Sequence, residues 1–443
     1  MALVVAAAWG TLGDVLPFVA VGAELLKRGH DVTFVSNPVF EPQARKAGVS
    51  FVPVGTEREY RDFVEDPGLW DRETVVRSLV RHFLPTTQAY YEAVARAHRP
   101  GETLLFAPEG FPVVSISREK LGLAFAGGVL APSRMRSRRD PARPSRPLPG
   151  GLDWIARSRQ GLRLLHWLKG QRSRWRGGGG AKTAVSGSGW AVVQEMMRVR
   201  SLAGLPAIPT APTPAPALSI CFWPSWFSPP QTDWPANARV VGFPFFPRPV
   251  VRSGDQSRLA DLPIVFTRGS SASHQGAFFS VAVECCRLLG RPGVLVTPQV
   301  ADVPAALPDN VRHVAFTDFG ELFPEAAVIV HHGGIGTIAH ALAAGIPQVA
   351  VPIVGEQFDL GYRVERLGVG TMLTQTPLTA GRLARAVGSL LHSERTRARC
   401  ESLRDRIDTG AGASQGADGL HELLLRHCRG ELRVTEGSRS AVC

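Results

Sequence analysis

The stretch Val328-Ile329-Val330-His331-His332-Gly333-Gly334-Ile335-Gly336-Thr337 decides how this chain is read. Residues 328–331 read as a buried strand, 332–336 as a turn, and 337–345 (TIAHALAAG) as the helix that follows. In open α/β sheets, ligands gather at the carboxyl ends of strands, where the first N–H groups of the next helix are free. Gly333, Gly334 and Gly336 let backbone approach a phosphate, and His332 and Thr337 can add side-chain hydrogen bonds. That is a diphosphate cradle without a P-loop lysine. Tight helix–strand packing produces the same letters, and His332 could equally be a core histidine. His331 reads as structural.

Working outward, the same rhythm fills both halves of the chain. Short strands are expected at 264–267, 293–297, 311–316, 328–331 and 348–353, with helices near 276–289, 337–344, 358–367 and 378–391. At the other end, 3–9, 31–36, 49–54 and 103–107 read as strands around a helix at 17–28. Alternation of this kind gives parallel, doubly wound sheets. The expected organisation is an α/β lobe at 1–243, a proline-bearing linker at 244–262, a second lobe at 263–430 and a flexible tail at 431–443. A chain of 443 residues suits two lobes.

Charge is concentrated. The formal net charge is +12, and between Arg134 and Arg176 stand twelve Arg and one Lys against Asp140 and Asp153. No nucleic-acid-binding pattern surrounds that run, so nucleic acid is not the expected partner. Leu152, Trp154, Ile155, Leu162, Leu165, Trp167 and Leu168 recur at helical spacing among arginines. Such a helix suits an anionic membrane surface, or it packs on its lobe with a solvated basic face. Gly177 to Gly180 mark an irregular insertion over about 132–190. No apolar run reaches the roughly 20 residues of a membrane span. The opening residues read as a first strand, which argues for a cytoplasmic protein, peripheral to the membrane at most. The six cysteines lack C-x-x-C spacing, so buried thiols are expected in place of a zinc site or disulfide framework.

The segment from His332 onward resembles the GT-B glycosyltransferases, the nucleotide-sugar-dependent family that includes antibiotic, sterol and plant secondary-metabolite enzymes. Its pattern H-x-G-x-G-T, A-x-x-x-G-x-P-Q, P-x-x-x-D-Q is met at 332–337, 341–348 and 352–357, with Glu356 in place of Asp. Gly10-Thr11-Leu12-Gly13-Asp14-Val15-Leu16-Pro17-Phe18 resembles the family's N-terminal turn. Asp66 to Asp71 (DPGLWD), Trp226 to Pro235, Val241 to Phe246 and Val265 to Ser270 resemble, more closely, the rhamnosyltransferase B subunits of rhamnolipid synthesis and their relatives.

The resemblance implies two Rossmann-like domains facing a central cleft and a single inverting displacement from a UDP- or dTDP-linked sugar, without metal. Asp14 stands where relatives place the catalytic base; the residue-level alternative is a carboxylate capping a helix that begins near Pro17. His332, Gly334, Gly336 and Thr337 match donor-phosphate contacts. Arg268, Gly269 and Ser270 match the facing loop, Phe316 and Thr317 the nucleotide base, and Glu356 and Gln357 the donor sugar's hydroxyls. The extra methylene of Glu356 leaves the sugar open. His340 takes the position of a ribose-binding glutamate in plant relatives, and either packs or makes a weaker ribose contact. The acceptor is expected to be hydrophobic or amphiphilic. A non-catalytic donor-binding scaffold and a nucleotide-sugar epimerase are the alternatives.

Overall fold

The computed structural model describes residues 2–71, 73–143, 160–164, 187–207, 215–248, 262–269, 276–374 and 377–431. Ser270, the glycine run, most of the basic segment and of the linker, and the tail lie outside them.

Thirteen parallel strands among the described residues form two sheets. The first contains β1 (Leu3–Ala7), β2 (Asp31–Ser36), β3 (Ser50–Pro53), β4 (Thr103–Pro108), β5 (Ala124–Val129), β6 (Leu218–Cys221) and β7 (Ala238–Val240) in the order 3-2-1-4-5-6-7. The second contains β8 (Ile264–Thr267), β9 (Gly293–Val296), β10 (Val311–Val314), β11 (Val328–His331), β12 (Gln348–Ala350) and β13 (Gly370–Met372) in the order 10-9-8-11-12-13. The central strands β1, β8 and β11 are buried along their whole length, as apolar runs covered on both faces must be. Strand order reverses beside β1 in one sheet and beside β8 in the other. Helices leave in opposite directions there and open a crevice at the carboxyl ends.

The lobes share a hydrophobic seam. Val129, Trp223, Phe227 and Phe243 of the first pack with Ile338, Leu342, Leu360 and Val364 of the second. The sequence groups residues 411–430 with the second lobe; spatially, the helix Ala411–Cys428 crosses back onto the first. Its small face explains why. A Cβ at Gly412 would lie 2.4 Å from the Phe243 backbone, and one at Gly416 would lie 3.1 Å from Val21. Arg28 clasps Asp418 at 2.7 Å, and His30 meets His421 at 2.7 Å.

The described part of the basic insertion also crosses. Leu162 is buried against Ala350, Tyr362 and Met372 of the second lobe, whereas Leu164 is exposed. Trp154 and Trp167, on which the membrane reading relies, lie outside the described residues. No helix among those described is long and apolar enough to cross a membrane. Cys285 and Cys286 are buried, and burial pushes both thiols up to about 12, which keeps them protonated.

Candidate active site

The first half of the site is the turn after β1. Gly10 takes φ +132°, a conformation open to glycine, and a Cβ there would sit 2.5 Å from Asp14 Oδ2. Thr11 is extended, and the helix Leu12–Lys27 starts directly after it. The helix expected to begin near Pro17 therefore starts five residues earlier, with Pro17 inside it, because the glycine and threonine form the boundary. Asp14 lies in the first turn. Its Oδ2 accepts the Thr11 N–H at 2.8 Å and the Thr11 hydroxyl at 3.0 Å, so the carboxylate does help cap this helix.

That role does not quench its basicity. Burial is the largest influence on the Asp14 carboxyl and carries it up to about 6; Thr11 N–H pulls it back, Glu356 pushes it up, and Thr11 hydroxyl and Arg134 lower it. The group remains mostly ionised at neutral pH and is a stronger base than an ordinary carboxylate. Tyr60 feels the Asp14 charge, which with burial keeps its phenol protonated.

The second half follows β8 and β11. Arg268 stacks on Phe278 at 4.3 Å from the ring centroid, reaches Val351 O at 3.4 Å, and leaves its Nε buried without a partner. Among the described residues no carboxylate pairs with it. Burial lowers the guanidinium to about 10, so it stays charged. Beside it, His332 is fitted between two glycines. A Cβ at Gly269 would lie 2.8 Å from the ring's Cε1, and one at Gly334 would lie 2.6 Å from Nε2. Burial first, then the nearby His331 and Arg268, holds this imidazole down at about 3, hence neutral, with Nδ1 unpartnered. A neutral ring can donate one hydrogen bond into the cleft and accept another.

Other positions sort by what they touch. His331 is fully buried, accepts the Gly333 N–H at Nδ1 (3.0 Å), and meets Gln348 Oε1 at Nε2 (3.1 Å), which fits its structural reading. Gly333 adopts φ +93° against the Gln357 carbonyl. Around Gly336, by contrast, an added Cβ would meet nothing within 4 Å among the described residues. It opens the helix Ile335–Ala344, whose N-terminus carries no side-chain cap; Thr337 beside it is buried. Packing therefore accounts for Gly333 and Gly334, but not for Gly336.

Phe316 is 69% exposed on the loop after β10, next to the half-buried Thr317. β10 lies two strands from β8, about 10 Å away at ordinary strand spacing. That separation suits a base held apart from its phosphates. His340 bonds Gly336 O at 2.8 Å and packs edge-on to Phe245, which supports packing as its role. Gln357 is less free than its motif implies: its Oε1 accepts Ile353 N–H (2.8 Å) and Val354 N–H (3.1 Å), leaving only its amide NH2 for a ligand.

Three residues carry roles that the sequence patterns do not assign to them. Gly10 shapes the Asp14 turn. Trp70, at the end of the 3-10 turn Pro67–Trp70, crosses the cleft to stand edge-on to His332 at 6.3 Å. The DPGLWD stretch signalled it without a role. Arg134 bonds Glu356 Oε2 at 3.2 Å from the opposite lobe, and nothing distinguished it within the arginine run.

Residues 4–99 match the model of the Glycosyltransferase family 28 N-terminal domain, and residues 294–414 match that of the erythromycin biosynthesis protein CIII-like C-terminal domain. A sterol 3-beta-glucosyltransferase of Emericella nidulans is 26% identical over 94% of this chain, which spans 29% of that protein's length. The O-mycaminosyltylonolide 6-deoxyallosyltransferase of Streptomyces fradiae is 28% identical over 81% of this chain and 82% of its own. Among solved structures, the kitacinnamycin glycotransferase superposes with a TM-score of 0.67 at 19% identity, covering 96% of this chain and 99% of its own. A spinosyn rhamnosyltransferase complexed with thymidine diphosphate does so at 0.59 and 17%, covering 96% and 100%.

Proposed function

We propose that this chain is a GT-B-type glycosyltransferase that is inverting and nucleotide-sugar-dependent, a reading supported by the two domain models and by the two-sheet fold. It moves a hexosyl or deoxyhexosyl group to a hydroxyl of a hydrophobic or amphiphilic acceptor. The observation that carries this reading is the opposition of two turns. One presents a carboxylate of raised pKa, Asp14; the other presents a guanidinium, Arg268, with no carboxylate partner among the described residues, beside a neutral imidazole and an uncapped helix N-terminus.

In the proposed displacement Asp14 accepts the proton of the acceptor hydroxyl. The acceptor oxygen bonds to the anomeric carbon as the bond from that carbon to the diphosphate oxygen breaks, and configuration inverts. Charge growing on the departing diphosphate meets Arg268, His332, Thr337 and the free N–H groups at Gly336, so the scheme needs no metal. Gly269 and Gly334 set the ring between them, Phe316 and Thr317 receive the base, and Glu356 with the Gln357 amide receives sugar hydroxyls. A dTDP-linked donor is supported by the thymidine diphosphate named for the spinosyn neighbour, and a hexosyl or deoxyhexosyl group by the glucosyl and deoxyallosyl transfers named for the two relatives. Those names, sterol and tylonolide, also support an apolar acceptor.

Asp14→Asn tests the reading. Turnover of the best donor–acceptor pair should fall by about 10²–10⁴-fold, the range of lost general-base catalysis, while calorimetric affinity for UDP and dTDP stays within about twofold. Full turnover by the variant would remove Asp14 from catalysis.

A further inference from the structure

The start of the insertion forms a strap that is fixed to both lobes. After β5, the 3-10 turn Pro132–Arg134 leads to Met135, which is buried in the interlobe seam. On the first lobe, Ser137 Oγ and Arg138 N–H both reach the Asp233 carboxylate, at 2.8 and 2.6 Å. On the second, Asp140 accepts Arg363 Nη1 at 3.2 Å and lies 3.5 Å from Arg366, while Arg143 N–H reaches Asp359 Oδ1 at 3.0 Å. Asp140, Asp359 and Arg363 are buried, and Arg363 Nε also binds Asp359 at 2.8 Å. Buried ion networks add little stability over an apolar core, but they do fix one geometry.

The geometry fixed here is that of the helix Gln357–Leu367, whose N-cap residue is Glu356. At the cleft end of the strap, Arg134 Nε meets Glu356 Oε2 at 3.2 Å, the two side chains being 69% and 30% exposed. As a stabilising ion pair this is worth under about 1 kcal/mol. Its value lies in where it sits. Asp14 feels Glu356 and Arg134 with opposite sign. Because Gln357 Oε1 is occupied by its own loop, Glu356 is the acceptor left for a sugar hydroxyl, and the extra methylene of Glu over Asp extends its carboxylate toward Arg134.

We propose that Arg134 is a donor-sugar positioning residue: carried into the cleft by the strap, it orients the Glu356 carboxylate and places its own remaining N–H groups over the sugar. The inference rests on the donor reading above and adds to it a residue of the opposite lobe, so that the two lobes grip the sugar jointly. Hydroxyl-rich sugars should profit from this grip, and the nucleoside diphosphate should not.

Arg134→Gln, Arg134→Lys and Glu356→Gln in the full chain test it by calorimetry with UDP, UDP-glucose, dTDP and dTDP-glucose. Loss of one charge-assisted hydrogen bond should weaken each sugar nucleotide by about tenfold relative to its bare diphosphate in the Gln variants, with Lys recovering part of it and thermal midpoints unchanged. An unchanged ratio of sugar-nucleotide to diphosphate affinity in Arg134→Gln and Glu356→Gln overturns the inference while leaving the donor reading intact. A wild-type protein that binds none of the four ligands removes both.

Discussion

The turns after β1 and β11 are built from the same parts: a buried strand, a glycine of positive φ, and a helix N-terminus aimed at the cleft. The first closes on itself. Asp14 accepts the Thr11 amide, and its carboxylate occupies the space that a side chain at Gly10 would need. The second stays open, since among the described residues no side chain caps its helix and nothing stands where a Cβ at Gly336 would be. A helix N-terminus attracts negative charge in either case. Where the chain supplies its own carboxylate, the site can receive a proton; where it supplies none, the site can receive a foreign anion. Arg268 strengthens this contrast: it has no carboxylate partner among the described residues, and a buried guanidinium without one is costly until an anion arrives.

The contrast can be broken most forcefully at Arg268. Arg268→Met should weaken UDP and dTDP binding by roughly 10–100-fold, the value of charged hydrogen bonds, without lowering the unfolding midpoint. A variant that binds nucleotide normally would show that the open turn does not use this cation. Gly336→Val comes next. It should block the cradle and weaken diphosphate binding by about tenfold while changing stability by no more than about 0.5–1 kcal/mol, because the position is open. Gly334→Val, pressed against the His332 ring, should destabilise by about 1–3 kcal/mol in denaturant titration. Equal stability losses in the two variants would erase the distinction between them.

The smallest effect belongs to the closed turn. The Asp14 carboxyl rises from 3.8 to about 6 on folding, so the folded state holds the proton more tightly than the unfolded chain. Keeping it ionised therefore costs stability above about pH 6, a cost that is relieved as pH falls through 6 and is gone below 3.8. Asp14→Asn should raise stability at pH 7.5 by on the order of 1 kcal/mol, and by nothing measurable near pH 3.5. Urea midpoints at both pH values measure this, and a stabilisation independent of pH would mean that Asp14 is not a desolvated carboxylate.

Much of this was readable in the letters. VIVH followed by HHGGIGT specified strand, turn and helix by local rules, and the β-α alternation on either side specified two parallel sheets. Helix starts were less legible: Pro17 looked like an N-terminal signal, although Gly10 and Thr11 set the boundary. The arginine run reads as one basic surface, yet Arg134, Asp140 and Arg143 bind the helix Gln357–Leu367 and its N-cap Glu356, and Leu162 packs on the second lobe. Those contacts join residues more than 180 positions apart, and no periodicity announces them. Gln357 shows the opposite failure: its motif suggested a free sugar ligand, and its Oε1 serves its own loop.

Glycine placement, strand hydrophobicity and helix periodicity act within a few residues of one another, so the letters alone specify two parallel-sheet lobes and the strand–turn–helix units that carry Asp14 and His332. Tertiary packing alone settles which of those glycines are pressed against the His332 ring and which stand open among the described residues, that the Asp14 carboxyl is desolvated, and that a segment of the first lobe reaches Glu356. Burial and charge fields belong to neighbours in space, and the fold alone chooses them.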